Sequence, residues 1–439
     1  MSGLRIAVVG GGPAGIYAAD ALLYQQQVPV LVDVFDRLPT PFGLLRYGVA
    51  PDHLKIKSLS RQLQQVLDDA RLRFFGNVAV GHDVTVGELR ERYHAVLYAV
   101  GAPAERRLDL PGEDLAGCQP AGDFVAWYSG RPEVALAPEL LRVPAVAVVG
   151  AGNVALDVVR LLSRDPQELA QTDLPEAVLA SLRASLVTEV HLLARRSPAE
   201  ARFTTKELRE LGELSGVDVL LDPAELELSS SEKAALQQDP SRPRNLELLR
   251  EWSQRLPTGA ARQVHLHFRT RPVKVLGTDR VQGLLLEKGP AESRWTEQLQ
   301  VGLVLSAIGY RGVPLAGVPF DEDRGVLPQV GSRVLRDGQV SPGEYASGWA
   351  ARGPVGVLGT NRADGEQVTA AVLADSGQLL GRELLLPEVA DLLRERGAEV
   401  VTCAGWANID RAELALGAGS GRARSKIVPR AGLLEAARG

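Results

Sequence analysis

The chain has 439 residues, 45% of them hydrophobic, which is too long for one core and predicts two to three domains. Its formal net charge is only −5, so no overall basic field indicates nucleic-acid binding. The two cysteines, Cys118 and Cys403, form no CxxC or CxxxxC pair, which disfavours a redox-active disulfide and a four-cysteine iron–sulfur cluster. The six histidines are interpreted as scattered, so no metal site is expected.

The first predicted element is a strand, a turn and a helix near the start of the sequence, IAVVGGGPAGIYAAD. Residues 6–9 are apolar, Gly10, Gly12 and Gly15 follow with GxGxxG spacing, and residues 16–23 continue as a helix. Glycines at these positions permit the turn, let a pyrophosphate approach the backbone, and let the helix pack on the strand. The pattern predicts a dinucleotide site.

A second strand, residues 30–35, ends at Asp36, where an acidic side chain is expected to bind a ribose hydroxyl. Asp52 is predicted to cap a helix that carries Ile56, Leu59, Leu63 and Val66. Short strands are predicted at 73–75 and 79–80, a helix at 86–93, and a strand at 95–101.

A second nucleotide signature is the stretch VAVVGAGNVALDVVRLL, with Gly150, Gly152 and Ala155 as GxGxxA. The next strand, residues 189–194, ends in Arg195 and Arg196 instead of an acid. Guanidinium groups pair with a phosphorylated ribose, which favours NADP over NAD. A solvated arginine pair at a strand end is the alternative.

The remaining elements follow in order. Residues 165–183 are predicted as an inserted helical segment, 222–262 as surface helices, and 263–288 as a small antiparallel meander. A strand is predicted at 303–309, a strand-like segment at 344–350, and a helix at 364–373. Together these elements predict an α/β protein of two interleaved dinucleotide-binding domains, one built from both ends of the chain.

One nucleotide unit with an acid and one with arginines suggest FAD and NADPH, respectively. Such a pair passes hydride from the nicotinamide to the flavin, which then releases electrons singly.

Longer motifs resemble one family. The matching stretches are PFGLLRYGVAPDH at 41–53, GNVAVGHDVT at 76–85, GNVALDV at 152–158, ARR at 194–196, FTTKELRE at 203–210, LSAIGY at 305–310, and SGWAARGPVGVLGTN at 347–361. They resemble the adrenodoxin-reductase-like ferredoxin-NADP reductases, flavoproteins with two Rossmann-like, glutathione-reductase-like domains. The resemblance implies an FAD domain of residues 1–103 and 310–439, interrupted by an NADP domain of residues 104–309.

The resemblance also implies site residues. For FAD they are Gly10, Gly12, Ala14, Gly15, Asp36, Leu44, Val80, Trp349, Gly356, Val357 and Leu358. For NADP they are Gly150, Gly152, Asn153, Val154, Arg195 and Arg196, with Glu207 and Gly356 at the nicotinamide end. His53, Glu207 and Asp157 are expected to orient the nicotinamide against the flavin. Without the resemblance, His53 is a helix-start residue, Trp349 a core residue and Glu207 part of a solvated helix face. Asp36 departs from the family, where a longer Glu is common.

The implied activity is NADPH-dependent reduction, through FAD, of a ferredoxin-type iron–sulfur protein. The alternatives are another acceptor, such as a quinone or oxygen, and a nucleotide-binding regulator without turnover. The partner is expected to bind transiently to a basic patch that includes Arg242 and Arg244. The chain is expected to be cytoplasmic, without a membrane span, and a monomer or weak dimer.

Overall fold

The computed structural model describes residues 3–134, 138–290 and 292–439. The chain divides into two compact units, residues 1–104 with 310–439 (the first unit) and residues 105–309 (the inserted unit). Two-residue strands, Ala104–Glu105 and Tyr310–Arg311, mark the points where the chain passes between them. No helix in the described ranges combines the length and the apolar character needed to cross a membrane.

The first unit is built on a seven-stranded sheet. From edge to edge its strands are Gln329–Val330, Arg333–Arg336, Gln339–Ala346, Ala95–Tyr98, Leu4–Val9, Val30–Asp36 and Leu72–Gly76. The first three strands pair antiparallel with one another. The third, Gln339–Ala346, also begins the parallel part of the sheet, which continues through the last four strands. Its helices are Pro13–Tyr24, Gly43–Tyr47, Leu54–Lys57, Ser60–Leu67, Val86–Arg92, Trp349–Arg352, Thr360–Ala374, Ser376–Leu380, Val389–Glu395, Cys403–Gly419 and Arg430–Arg438.

The central strand Leu4–Val9 is buried on both faces. Ile6 and Val8 pack in one hydrophobic cluster, whereas Ala7 and Val9 pack in another on the opposite side. Burial on both faces explains why the strand is a continuous apolar run instead of an alternating one.

The inserted unit contains a parallel six-stranded sheet. Its strands, in spatial order, are Cys118–Pro120, Leu303–Ser306, Ala145–Val149, Glu189–Leu193, Arg262–His267 and Val217–Leu220. A three-stranded antiparallel sheet consists of Thr270–Gly277, Val281–Lys288 and Trp295–Leu299. The α-helices are Ala121–Tyr128, Asn153–Ser163, Pro166–Leu169, Glu176–Arg183, Thr205–Gly212, Ser230–Ala235 and Ser241–Ser253. Among its described residues, 3₁₀ turns are formed by Pro138–Leu141, Pro198–Glu200, Pro223–Leu226 and Leu236–Gln238.

The structure corrects two local predictions in the first unit. The helix predicted after Asp52 is two helices, Leu54–Lys57 and Ser60–Leu67, and the N-cap of the first is His53. Residues 79–80 form no strand, because Val80 makes only an isolated bridge with Val84. Two residues at 79–80 are too few to distinguish an isolated bridge from a strand, and apolar spacing alone does not mark the break between the two helices.

One prediction for the inserted unit is also wrong in part, and a second is confirmed. The strand Arg262–His267 belongs to the parallel sheet, between Glu189–Leu193 and Val217–Leu220, so only the residues from Thr270 onward form the antiparallel meander. The helix Ser241–Ser253 is a surface helix as predicted: Arg244, Glu247 and Arg250 are exposed on one face, and Leu246, Leu249 and Trp252 on the other face are buried in the core.

Candidate dinucleotide-binding sites

The first and third glycines of the GxGxxG turn are required by the protein itself. Gly10 has φ +113, and a Cβ there would lie 2.4 Å from the Ala99 carbonyl oxygen. A Cβ on Gly15 would lie 1.9 Å from the Gly10 carbonyl oxygen. The predicted tight turn and close helix–strand approach are therefore both present.

At the middle glycine, neither the backbone conformation nor a neighbouring protein atom requires glycine. Gly12 has φ −78, and a Cβ there would meet nothing closer than the Gly43 Cα at 3.8 Å. Gly152, its counterpart in the second turn, has φ −117, and a Cβ there would meet nothing within 4 Å. Each precedes a helix, Pro13–Tyr24 or Asn153–Ser163, whose N-cap offers no side-chain hydrogen bond. Open backbone before an uncapped helix N-terminus fits a bound pyrophosphate.

Asp36 lies directly against the first turn. Its Oδ2 accepts a hydrogen bond from the Gly11 backbone N–H at 2.8 Å, and its Oδ1 accepts one from the Leu38 N–H at 2.9 Å. Since a carboxylate oxygen has a second lone pair, these bonds position the acid without exhausting its capacity for a ribose hydroxyl.

The segment that follows Pro41 covers this turn. The Phe42 N–H donates to the Gly11 carbonyl oxygen at 2.7 Å, and the short helix Gly43–Tyr47 begins beside Gly12. Leu44 in this helix is 37% exposed, so it has apolar surface to offer a cofactor. Val80 packs at the margin of the hydrophobic cluster that contains Phe35.

A buried ion cluster, which the sequence reasoning missed, holds this helix. Arg46 donates two hydrogen bonds to the Glu413 carboxylate, at 3.0 and 2.5 Å, and the Glu413 side chain is fully buried. Arg424 binds the same carboxylate at 2.9 Å, and Lys426 Nζ donates to the Arg46 carbonyl oxygen at 3.0 Å. The only signal in the sequence was an arginine inside the apolar stretch GLLRYGV.

The third segment predicted to contact FAD begins at Trp349, which is half-buried and not a core residue. Its indole N–H donates to the Val355 carbonyl oxygen at 3.2 Å. Gly356 has φ +88 and Val357 is 65% exposed. Ala14, in the first turn, and Leu358 both pack at the margin of the same hydrophobic cluster, the one that contains Ile16. An exposed loop leading into the helix Thr360–Ala374 fits the predicted contact with a flavin edge.

In the inserted unit, a second segment lies beside the glycine turn. The Asn153 side-chain oxygen accepts a hydrogen bond from the Thr204 N–H at 2.8 Å. The Arg202 N–H donates to the Ala151 carbonyl oxygen at 2.8 Å. Gly150 has φ +145, and Val154 in the first helical turn is half-buried.

Exposed arginines follow the strand Glu189–Leu193. Arg196 lies 3.5 Å from Glu200, whereas Arg195 forms no ion pair with any residue in the described ranges. Arg202, which the sequence reasoning did not select, is also exposed and likewise forms no ion pair within those ranges. Exposed guanidinium groups near the glycine turn are suited to a phosphorylated ribose.

Asp157 and Glu207, predicted as orienting groups, are joined by Arg160. The fully buried Arg160 lies 2.8 Å from the Asp157 carboxylate, 3.3 Å from that of Glu207 and 3.6 Å from that of Glu210. The sequence reasoning missed Arg160 and Glu210. His53, the third predicted group, belongs to the first unit, where it is 7% exposed and precedes the helix Leu54–Lys57.

Comparison with known proteins decides the family. Residues 4–239 match the family described as Pyridine nucleotide-disulphide oxidoreductase. The chain belongs to this family. It is 43% identical to the NADPH-ferredoxin reductase FprA of Mycobacterium tuberculosis, over 98% of each chain. It is 37% identical to the mitochondrial NADPH:adrenodoxin oxidoreductase of Arabidopsis thaliana, over 99% of this chain and 95% of the relative. The structure of Mycobacterium tuberculosis FprA in complex with NADPH superposes with a TM-score of 0.92 at 42% identity, covering 100% of both chains.

These similarities confirm the resemblance and the fold class of two Rossmann-like domains. The family description includes disulphides, but this chain has only two cysteines, neither in a CxxC or CxxxxC motif. Burial raises the pKa of the Cys118 thiol to about 11, so at neutral pH the thiol is not ionised.

Proposed function

We propose that this protein oxidises NADPH with a bound FAD and passes the electrons singly to a ferredoxin-type iron–sulfur protein. Residues 1–103 with 310–439 would hold FAD, and residues 104–309 would hold NADP(H). The observation that supports two nucleotide sites is the absence of an internal requirement for Gly12 and Gly152, whose backbones are open to a ligand.

The residues of each unit divide the binding work. In the first unit, Asp36 would bind the adenosine ribose of FAD, while Trp349 and residues 356–358 would contact the flavin. In the inserted unit, residues 150–154 would bind the pyrophosphate, and Arg195 and Arg196 the ribose phosphate. Arg160 would hold the Asp157 and Glu207 carboxylates in place, so that both act as orienting groups.

Bound FAD would supply a hydride acceptor for NADPH and a one-electron donor for each of two iron–sulfur proteins, with release of one proton overall. The two cysteines form no paired motif, so the chain's own contribution would be binding, orientation and exclusion of water. Relatives named for ferredoxin, at 42–43% identity, support this acceptor class. A disulfide acceptor is disfavoured because that chemistry needs a dithiol relay.

The partner is proposed to bind transiently and electrostatically, with Arg242 and Arg244 in its basic patch. Both arginines lie in the first turn of the helix Ser241–Ser253, and Arg244 is exposed. The acceptor rate should then fall as salt rises. We also propose a cytoplasmic protein that is monomeric or weakly dimeric.

The test is a sequence of three measurements on the purified full-length chain. The first measurement is the flavin absorbance, and the second is its bleaching by NADPH without oxygen. The third compares the rate of NADPH oxidation with an acidic ferredoxin, with a quinone and with oxygen as acceptors. We expect bleaching and the highest rate with ferredoxin. A chain that stays colourless after incubation with FAD contradicts the proposal, and a higher rate with the quinone or oxygen selects the alternative acceptor.

A further inference from the structure

Three histidine rings stack on one face of the parallel sheet in the inserted unit. His191 lies opposite His265 on the neighbouring strand, and His267 follows two residues later on the same side. The His191 ring centroid is 4.6 Å from that of His265 and 5.5 Å from that of His267, with interplanar angles of 17° and 20°. Contrary to the prediction of scattered histidines, His265 and His267 also form an HxH pair in the sequence.

The alternation of the two strands separates these rings from the helix-packed core. Val190 and Leu192 on one strand, and Val264 and Leu266 on the other, pack in the hydrophobic cluster beneath the helices. The histidines between them therefore face the opposite side of the sheet.

A carboxylate completes the cluster. Glu189 precedes His191 by two residues and faces the same side, with its Oε2 3.6 Å from the His191 Nε2. That distance is too long for a hydrogen bond. The ligand atoms of Glu189, His191 and His265 all lie within 4.8 Å of one another. The buried Nε2 of His265 has no hydrogen-bond partner among the residues that the structure describes.

Side-chain rotation would bring these three atoms onto one metal ion: the atoms would move closer together, and the stacked rings would turn out of parallel because each lone pair lies in its ring plane. Nitrogen and oxygen ligands at about 2.1 Å from a tetrahedral Zn²⁺ are about 3.4 Å apart. Two imidazoles and one carboxylate form a common donor set for such an ion. The Glu189 side chain is 49% exposed, so an ion has a path from solvent and space for a water ligand.

The surroundings prepare the rings for this role. The His191 Nδ1 lies 3.2 Å from the His267 Nε2, a hydrogen bond that fixes the far side of the ring and leaves Nε2 toward Glu189. The nearby cation, Lys288, is balanced by Glu297 at 3.3 Å and Glu225 at 3.8 Å.

We propose that Glu189, His191 and His265 bind a divalent transition metal ion, Zn²⁺ in the first place, with His267 as a positioning residue. Glu189 begins its strand, so the site lies toward the amino ends of the parallel strands. The glycine turn at Gly150 follows the carboxyl end of the strand Ala145–Val149. The metal site is therefore distinct from the nucleotide site, and the ion would stabilise the inserted unit.

The experiment uses the chelator-treated full-length protein with its FAD content measured. Zn²⁺ affinity and stoichiometry are obtained by competition with a chromophoric chelator, and Co²⁺ is added separately to record its visible absorption. We expect one equivalent of Zn²⁺ in the micromolar range and Co²⁺ bands of four-coordinate intensity. Glu189→Gln and His265→Gln should each weaken Zn²⁺ binding by about tenfold or more.

His82→Gln is the matched control, because His82 also lies beside a carboxylate, that of Asp83 at 2.8 Å, but belongs to the first unit. It should leave Zn²⁺ affinity unchanged. The Co²⁺ spectrum of the unmodified chain tests the site without any variant. Less than half an equivalent of Zn²⁺ on the unmodified protein, or unchanged affinity in both site variants, overturns the inference.

Discussion

Arg46 and Glu413 are 367 positions apart in the sequence, yet two nitrogens of the Arg46 guanidinium bind the two oxygens of the Glu413 carboxylate. Burial, the largest single effect, would raise the pKa of the Glu413 carboxyl, but the charge and hydrogen bonds of Arg46, the charge of Arg424 and the Ile427 N–H together lower it. The Arg46 guanidinium also lies 5.4 Å from the ring centroid of Trp406. The pair joins the helix beside Gly12 to the helix Cys403–Gly419.

We expect Glu413→Gln to lower the free energy of unfolding by about 3 kcal/mol or more, because it leaves a buried guanidinium without its counter-charge. FAD should also dissociate faster, since the helix Gly43–Tyr47 covers the first glycine turn. Urea unfolding and the rate of flavin release measure the two effects. Asp69→Asn breaks the exposed pair with Arg71 and should cost less than about 1 kcal/mol. Similar losses in both variants would contradict a special role for the buried pair.

Gly12→Ala and Gly152→Ala should separate folding from cofactor binding. Because a Cβ at either position meets no protein atom closer than 3.8 Å, both variants should keep their unfolding free energy within about 1 kcal/mol. Gly12→Ala should lose FAD, whereas Gly152→Ala should retain FAD and raise the KM for NADPH by about tenfold or more. Flavin absorbance and steady-state kinetics measure these outcomes. The helix residue Gly377, whose Cβ would also meet nothing within 4 Å, provides the control Gly377→Ala. Retention of FAD by Gly12→Ala would contradict the assignment of the FAD pyrophosphate to this turn.

Replacing Arg195 and Arg196 together by Ala should raise the KM for NADPH by about tenfold or more, with little effect on NADH. Of the single variants, Arg195→Ala should have the larger effect, because Arg196 is shared with Glu200. Glu200→Gln should lower the KM for NADPH by freeing Arg196. Arg183→Ala, at another half-exposed arginine of the same unit, is the control. Equal losses with NADPH and NADH would exclude a ribose-phosphate contact.

Glu105 should make the inserted unit less stable as pH rises. Burial raises the pKa of Glu105 from 4.5 to about 7, although the Gly122 N–H donates to its Oε1 at 2.7 Å. The folded state therefore holds a proton that the unfolded state releases, and stability is lost between about pH 4.5 and pH 7. Glu105→Gln should remove this dependence of the unfolding free energy on pH and raise the unfolding free energy above neutrality by an amount on the order of 2 kcal/mol. Urea unfolding across this pH range is the measurement, with Glu247→Gln on an exposed helix face as the control. An unchanged pH dependence of the unfolding free energy in Glu105→Gln would show that another group titrates.

Both glycine turns could be predicted from the sequence because a strand, its turn and its helix are consecutive residues. The positions of Asp36 and Arg195 were also predictable. Each follows a parallel strand, and the carboxyl end of that strand lies at the same sheet edge as the glycine turn. The motifs further identified the family, which the comparisons confirm.

Other features depended on which distant segments meet. The alternating residues 262–267 fit a parallel strand as well as an antiparallel one, and only the neighbours Glu189–Leu193 and Val217–Leu220 decided between them. Burial of Arg160 among three carboxylates required the packing of two helices.

The sequence by itself therefore determined the local units, because propensity and glycine geometry act over a few consecutive residues. Tertiary structure alone decided the Arg46–Glu413 pair and the stacking of His191 on His265. Burial and charge pairing depend on distance in space, and no spacing along the chain encodes that distance.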